Sequence, residues 1–126
     1  MILLDTNFLI LGLVSGSGQD QRLREWLQAG ETLAVSVMVW AEFLCGPVTP
    51  DQIRLAAQFL GRPEVLLPED ADRAAALYNA TGRRRGSLAD CLIASTCLRL
   101  IAPIATDNVA DFRPFEPMGL MVLSSV

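Results

Sequence analysis

The chain has 126 residues, of which 52% are hydrophobic, and its formal net charge is −4. This length suits a single domain over residues 1–126, and no apolar run approaches the roughly 18 residues of a membrane span. We therefore expect a soluble protein with no membrane partner. Because the chain starts on a predicted strand, without the basic segment and cleavage site of a secretory signal, we expect it in the cytoplasm.

Two residue types are missing from the composition. The absence of histidine removes the commonest general base and transition-metal ligand, and the absence of lysine excludes Schiff-base chemistry and a Walker-type phosphate loop. Any catalysis must therefore rely on carboxylates. Cys45, Cys91 and Cys97 lack metal-site spacing and lie in apolar stretches, so we expect small core residues in a reducing compartment. An acidic chain would bind nucleic acid through a local arginine patch or bound cations.

The first predicted element is a buried strand, Ile2–Leu4, that stops at the carboxylate of Asp5. An apolar run without alternation is typical of a strand covered on both faces, and in open α/β sheets ligands bind beyond the carboxyl ends of the strands. Thr6 or Asn7 is expected to cap a following helix, Phe8–Val14. Asp5 is therefore either part of a functional site or only a capping residue.

The remaining pattern alternates between helices and strands. Helices are predicted at 19–29, 37–45, 51–60, 68–81 and 87–100, and strands at 32–35, 64–67, 103–105 and 120–123, the last after a proline-containing connection at 112–118. Strands that alternate with helices indicate an α/β protein. We predict a three-layer α/β/α sandwich around a mostly parallel sheet of about five strands.

Glu42 lies on the third predicted helix and is the only charged residue between Glu31 and Asp51. The helix is otherwise so apolar that it has little solvent face, and burial of an unpaired carboxylate is very unfavourable. We therefore expect Glu42 to face a polar cleft. The alternative is a simple exposed position, since glutamate is a good helix former.

Three consecutive arginines, Arg83, Arg84 and Arg85, lie in a predicted loop before the next acidic position. Such a run is either solvated or able to bind a phosphate through the planar guanidinium forks. Possible ligands are an RNA phosphate and an acidic segment of a partner protein.

Asp90 is the only charged residue between Arg85 and Arg99. The segment Ser87–Asp90 has the form of a capping box, with aspartate in the usual place of glutamate, at the start of a helix. By itself this pattern favours a capping role for Asp90. Considered together with the other acidic positions of the chain, Asp90 is better interpreted as a functional residue.

The predicted strand at 103–105 ends in polar residues, as the first strand does. Thr106, Asp107 and Asn108 follow it directly, and Asp111 comes shortly after. Like Asp5, these residues follow the end of a predicted strand.

The acidic positions can converge on one site. Clustered carboxylates repel one another and are unstable without a cation, and oxygen ligands suit Mg²⁺ or Mn²⁺. Such a site activates water and neutralises charge in the hydrolysis of phosphodiesters.

The sequence resembles the PIN domain, specifically the VapC-type ribonuclease toxins of bacterial toxin–antitoxin pairs and the related FitB proteins. The matching stretches are Met1–Asn7, Ser36 with Trp40–Glu42, Leu88–Ala94, and Ala105–Asn108 with Asp111–Phe112. They occur in the family's order over essentially the whole chain. The resemblance implies an endoribonuclease that uses Mg²⁺ or Mn²⁺ and forms a homodimer. It also implies a small cognate antitoxin whose tail fills the active-site groove.

Transferred to this chain, the resemblance implies that Asp5 and Asp90 are the principal metal ligands. Glu42 would be a further ligand or a base that orients water. Thr106 would hold a ligand or a water molecule, and the neighbouring positions with supporting roles are Thr6, Asn7, Asn108 and Asp111.

The fourth acidic position is open, because the family's acid after the threonine varies. Asn108 occupies one place where an acid is often found, so the charge comes from Asp107 or Asp111. We choose Asp107, which is closer to the strand end, as the fourth catalytic and metal-binding residue.

Two other functions remain in view. One is a non-catalytic PIN-like module that binds protein or RNA. The other is a phosphohydrolase or phosphotransfer domain with Asp5 as nucleophile. The second is disfavoured because there is no aspartate two residues later and no lysine in the chain.

Overall fold

The structure, a computed structural model, describes all residues from Met1 to Val126. Its centre is a sheet of four short parallel strands in the order β2-β1-β3-β4. The strands are β1 (Ile2–Leu4), β2 (Leu33–Ala34), β3 (Ile104–Ala105) and β4 (Val122–Leu123). Because β1 and β3 are direct neighbours, the residues that follow them, Asp5 and Thr106, lie side by side.

Helices flank this sheet and connect the strands, as parallel pairing requires. They are α1 (Thr6–Gly12), α2 (Gly18–Gln28), α3 (Val37–Leu44), α4 (Pro50–Leu60), α5 (Pro68–Ala80), α6 (Leu88–Leu100), α7 (Val109–Phe112) and a 3₁₀ helix (Arg113–Met118). The predicted α/β class with a mostly parallel sheet is confirmed. None of the helices has the length and apolarity needed to cross a membrane.

The core consists of 26 buried apolar residues that form one continuous cluster. All three residues of β1 are buried, as expected for an apolar strand covered on both faces. Four phenylalanines are among the largest fully buried side chains: Phe8, Phe43, Phe112 and Phe115. Each such side chain contributes about 1.5–3 kcal/mol through removal of its surface from water.

The predicted strand at 64–67 is reduced to a single parallel bridge between Glu64 and Ser36. The backbone groups that would extend it bond to side chains instead. Arg99 Nη2 donates to the Val65 carbonyl oxygen at 2.8 Å, and the Leu67 N–H donates to Asp70 Oδ2 at 2.9 Å. The fifth strand is therefore one residue long, and the sheet proper has four strands.

Several helix boundaries also differ from the prediction. Asp5, and not Thr6 or Asn7, is the N-cap of α1, because its side chain accepts the N–H of Thr6. The proline-containing connection at 112–118 is helical, as the end of α7 and the 3₁₀ helix.

Cys91 and Cys97 are buried, whereas Cys45, the C-cap residue of α3, is exposed. The prediction that all three cysteines are core residues is thus wrong for Cys45. The cause is its position at the end of a helix, which carries it beyond the core.

A buried ion pair joins the start of α5 to the last turn of α6. Asp70, which is 1% exposed, accepts hydrogen bonds from Arg99 Nε at 3.0 and 3.2 Å. Together with the bonds to Leu67 and Val65, this pair holds the segment that replaces the predicted strand.

Candidate metal and catalytic site

Asp5 lies at the centre of the candidate site and is 6% exposed. Its Oδ1 accepts the Thr6 N–H at 2.9 Å, and its Oδ2 accepts the Thr106 hydroxyl at 2.8 Å. The Thr106 hydroxyl in turn accepts the Asn108 N–H at 3.0 Å. Asp5 is therefore both the cap of α1 and an oriented carboxylate, so the two alternatives for this residue are compatible.

Glu42 reaches the same region from α3. Its side chain is exposed, and Oε1 accepts the Thr6 hydroxyl at 2.7 Å. Thr6 therefore connects the two carboxylates, because its backbone N–H binds Asp5 and its hydroxyl binds Glu42.

Asp90 lies in the first turn of α6 and is partly buried. The predicted capping box does not form, because the Ser87 hydroxyl donates to the Arg84 carbonyl oxygen at 2.7 Å and accepts no cap bond. The pKa of Asp90 is raised to about 6, mainly by burial and further by the charges of Asp5, Asp111 and Glu42, while the charge of Arg84 opposes the shift. Asp90 is thus not a cap, and its surroundings disfavour its charged form.

The pKa of Asp5 is also raised, mainly by burial. The hydrogen bonds from Thr106 and from the Thr6 backbone oppose the shift, while the negative charges of Glu42 and Asp111 add to it. The charges of Glu42 and Asp111 thus act on both Asp5 and Asp90, which identifies four carboxylates in one region around the end of β1. We call them the acidic group: Asp5, Glu42, Asp90 and Asp111.

Asp107 does not lie with this group. Its Oδ1 accepts the Ser125 N–H at 2.8 Å, and its Oδ2 accepts the Ser125 hydroxyl at 2.8 Å and Gln19 Nε2 at 2.5 Å. Burial acts to raise the pKa of Asp107, but these hydrogen bonds outweigh it and lower the pKa below its usual value. Asp107 anchors the C-terminal segment to α2.

The alternation of side chains after β3 explains this separation. Thr106 is buried and points to Asp5, so the next side chain, that of Asp107, points the other way. The chain then turns into α7, which brings Asp111 back towards the acidic group. Asn7 and Asn108 are exposed, and Asn108 contributes its backbone N–H to Thr106.

The three arginines have different surroundings. The Arg83 guanidinium lies 5.4 Å from the ring centroid of Tyr78 and is hydrogen-bonded to Asn79, so it is directed back to α5. Arg84 is half-buried, and its Nη2 donates to the Asp111 carbonyl oxygen at 3.3 Å. Arg85 is exposed. The run is therefore not a uniform surface, and only Arg84 contacts a residue of the acidic group.

The donor chemistry of the acidic group fits a hard divalent cation. All its donors are carboxylate oxygens, which Mg²⁺ and Mn²⁺ prefer. No three acidic or cysteine side chains are already close enough together to hold a metal ion. Repulsion between carboxylates opposes such convergence when no cation offsets it.

Comparisons with known proteins identify the family and agree with the fold. A family model described as PIN domain matches residues 2–113, and no curated protein matches the sequence. Among solved structures, a VapBC2 complex from Rickettsia felis bound to a promoter DNA fragment is similar, with 20% identity, 98% coverage of both chains and a TM-score of 0.76.

Two further structures are similar over almost their whole length. FitAcB from Neisseria gonorrhoeae has 20% identity and a TM-score of 0.73, with 99% of this chain and 98% of that chain covered. A toxin–antitoxin complex from Klebsiella pneumoniae has 25% identity and a TM-score of 0.74, with 100% and 98% covered.

Proposed function

Because the chain belongs to the PIN domain family, we propose that it is a metal-dependent endoribonuclease and the toxin of a toxin–antitoxin pair. The observation that carries this proposal is the acidic group, in which burial and neighbouring carboxylates raise the pKa of Asp5 and Asp90. A folded protein that retains such repulsion gains stability when a cation binds. The likeness to toxin–antitoxin complexes supports the cellular role.

In this proposal Asp5 and Asp90 are the principal ligands of Mg²⁺ or Mn²⁺. A cation held there supplies the positive charge that activates water and neutralises a reacting phosphodiester. Thr6 and Thr106 are positioning residues, because each donates a hydrogen bond to one oxygen of Asp5. Asn108 fixes the direction of the Thr106 hydroxyl in turn.

Glu42 is a further ligand or the base that orients the attacking water. Its Oε1 is occupied by the Thr6 hydroxyl, and its side chain is otherwise exposed. The second carboxylate oxygen is therefore available to accept a proton from water on the solvent side of the site.

We assign the fourth acidic position to Asp111 in place of Asp107 or Asn108. The charge of Asp111 raises the pKa of both Asp5 and Asp90. Asp107, in contrast, accepts hydrogen bonds from Gln19 and Ser125. A carboxylate that already has three donors is poorly placed to become a ligand.

We further propose a homodimer that binds a cognate antitoxin. Exposed large apolar side chains on α1, α3 and α4 support protein contacts: Leu11, Val37, Leu44 and Leu55. Light scattering of the purified protein tests the dimer, with an expected mass of two 13.7 kDa chains. A mass of one chain would contradict it.

The alternative is a non-catalytic PIN-like binding module. It is favoured by one observation, namely that no three acidic side chains converge to ligand distance. The two functions differ in whether the purified protein cleaves RNA in a metal-dependent way.

Cleavage of single-stranded RNA with Mg²⁺ or Mn²⁺, and with chelator, tests the nuclease. We expect Asp5→Asn and Asp90→Asn to abolish cleavage. Both variants should keep the fold, with equal or higher melting temperature without metal, because each removes one charge from a repelling group. Activity near wild type in either variant, with contaminating nuclease excluded, would reject the assignment. Absence of cleavage by the wild type would favour the binding module.

A further inference from the structure

Arg84 differs from the other arginines in having a buried side-chain donor without a hydrogen-bond partner. Its Nε is buried and has no hydrogen-bond partner, and it is the only buried side-chain nitrogen or oxygen in the chain of which this is true. A buried donor without an acceptor is unfavourable, so it is retained where a ligand or a catalytic requirement accounts for it.

The charge of Arg84 is also not neutralised. Its only hydrogen bond to another element is the one from Nη2 to the Asp111 carbonyl oxygen at 3.3 Å, and it forms no ion pair with a carboxylate. The same hydrogen bond places the guanidinium at the acidic group, because Asp111 is a member of that group. Arg84 is thus a half-buried cation at the acidic group that forms no ion pair with any carboxylate.

We propose that Arg84 binds a phosphate of the RNA at the acidic group through its guanidinium. A guanidinium fork matches two oxygens of one phosphate, and the Arg84 Nε–H has no acceptor within the protein. This inference rests on the proposed function, because the reacting phosphodiester is what brings an anion to this place. The inference applies to Arg84 and not to Arg83, because the Arg83 guanidinium contacts Tyr78 and Asn79.

The bond to the Asp111 carbonyl oxygen orients the guanidinium. The Arg84 backbone is fixed as well, since its carbonyl oxygen accepts both the Ser87 N–H at 3.1 Å and the Ser87 hydroxyl at 2.7 Å. The arginine is therefore anchored at both ends before any ligand binds, which reduces the entropy lost on binding.

Equilibrium binding of a fluorescently labelled single-stranded RNA tests this inference without cleavage, in chelator and in Ca²⁺. Arg84→Gln should weaken binding roughly tenfold to a hundredfold, because hydrogen bonds between charged groups are lost. It should also reduce the slope of log affinity against log salt by about 0.7, the value for one phosphate of a single strand. Arg84→Lys keeps the charge but not the fork, and should restore the salt slope more than the affinity.

Arg83→Gln is the matched control, since it removes the same charge from the adjacent residue. Equal losses in Arg83→Gln and Arg84→Gln would mean that only net charge matters and would overturn the inference. Unchanged RNA binding by Arg84→Gln would also overturn it. If that variant instead loses affinity for a polyglutamate peptide while it keeps its affinity for RNA, Arg84 serves an acidic protein partner. Thermal melts of both variants exclude misfolding.

The inference and the proposed function can fail separately. If the wild type binds RNA through Arg84 but cleaves none with Mg²⁺ or Mn²⁺, the nuclease is rejected and the phosphate contact stands. If the wild type cleaves RNA, and Arg84→Gln binds and cleaves it equally well, the contact is rejected and the nuclease stands.

Discussion

Single residues in this chain combine local and long-range roles. Asp5 caps α1 through Oδ1, which accepts the N–H of the adjacent Thr6. Its Oδ2 accepts the hydroxyl of Thr106, which lies 101 positions away in the sequence. Asp90 has the sequence context of a cap but no such bond. A capping pattern is therefore compatible with a functional carboxylate, because a carboxylate has two oxygens and capping needs one.

The raised pKa of Asp90 predicts a pH-dependent effect of Asp90→Asn on stability without metal. The folded-state pKa is about 6 against an ordinary value of 3.8, so between these values the folded state binds more protons than the unfolded state. This contribution to the free energy of unfolding becomes less favourable as pH rises through that range. Besides burial, the charges of Asp5, Asp111 and Glu42 raise the pKa of Asp90, and the charge of Arg84 lowers it.

We therefore expect Asp90→Asn to be more stable than the wild type by about 1 kcal/mol at pH 7, after allowance for solvent screening. The difference should vanish below about pH 3, where the carboxyl is neutral in both the folded and the unfolded state. Urea unfolding in chelator at both pH values measures it. A difference of equal size at the two pH values would show that charge repulsion is not the cause.

At the scale of elements, the segment between α4 and α5 shows how side chains replace strand pairing. Only Glu64 pairs with the sheet, and the next backbone groups bond to Arg99 and Asp70. Apolar residues at 65–67 predict a strand from local pattern, but Arg99 and Asp70 lie in other elements. Long-range contacts therefore decided the structure of this segment.

The Asp70–Arg99 ion pair predicts a large loss of stability on Asp70→Asn. The change removes the charge partner of a guanidinium whose side chain is 22% exposed, and we expect a loss of about 3 kcal/mol. Asp72→Asn is the matched control, because Asp72 lies on the same helix and is exposed; it should change stability by no more than about 0.5 kcal/mol. Urea unfolding of both variants measures this. Equal effects would show that the pair does not stabilise the packing of α5 on α6.

At the scale of the whole molecule, a cation that binds only the folded form raises its stability. At a hundredfold excess over Kd the gain is about 2.7 kcal/mol, which corresponds to a rise in Tm of roughly 5–10 °C for a domain of this size. We expect this rise with Mg²⁺ or Mn²⁺ relative to chelator at matched ionic strength and neutral pH. Asp111→Asn should reduce this cation-induced rise in Tm. Asp107→Asn should retain the rise, although its Tm without cation should be slightly lower because hydrogen bonds to Ser125 and Gln19 are lost.

Asp5→Asn supplies the reference for these melts. If neither cation at millimolar concentration shifts the wild-type Tm more than that of Asp5→Asn, the acidic group is not a metal site. A shift lost in Asp107→Asn but kept in Asp111→Asn would reverse our assignment of the fourth acid. Each outcome is read from melts of purified protein and needs no knowledge of the substrate.

The sequence by itself determined the α/β class, the parallel sheet and the PIN resemblance, all of which are confirmed. It also indicated that Asp5, Glu42 and Asp90 belong together. These features are local: an apolar run that ends at a carboxylate, and a single charge on an apolar helix, can be recognised without knowledge of distant contacts.

Only the tertiary structure decided which acid after β3 approaches Asp5, whether residues 64–67 form a strand, and which arginine turns to the site. Asp107 accepts hydrogen bonds from Gln19 and Ser125, whereas Asp111 lies on α7, which directs it towards the acidic group. The free Nε of Arg84 is likewise defined by what surrounds it. Side-chain direction beyond a strand end depends on partners far away in the chain, so local pattern does not encode it.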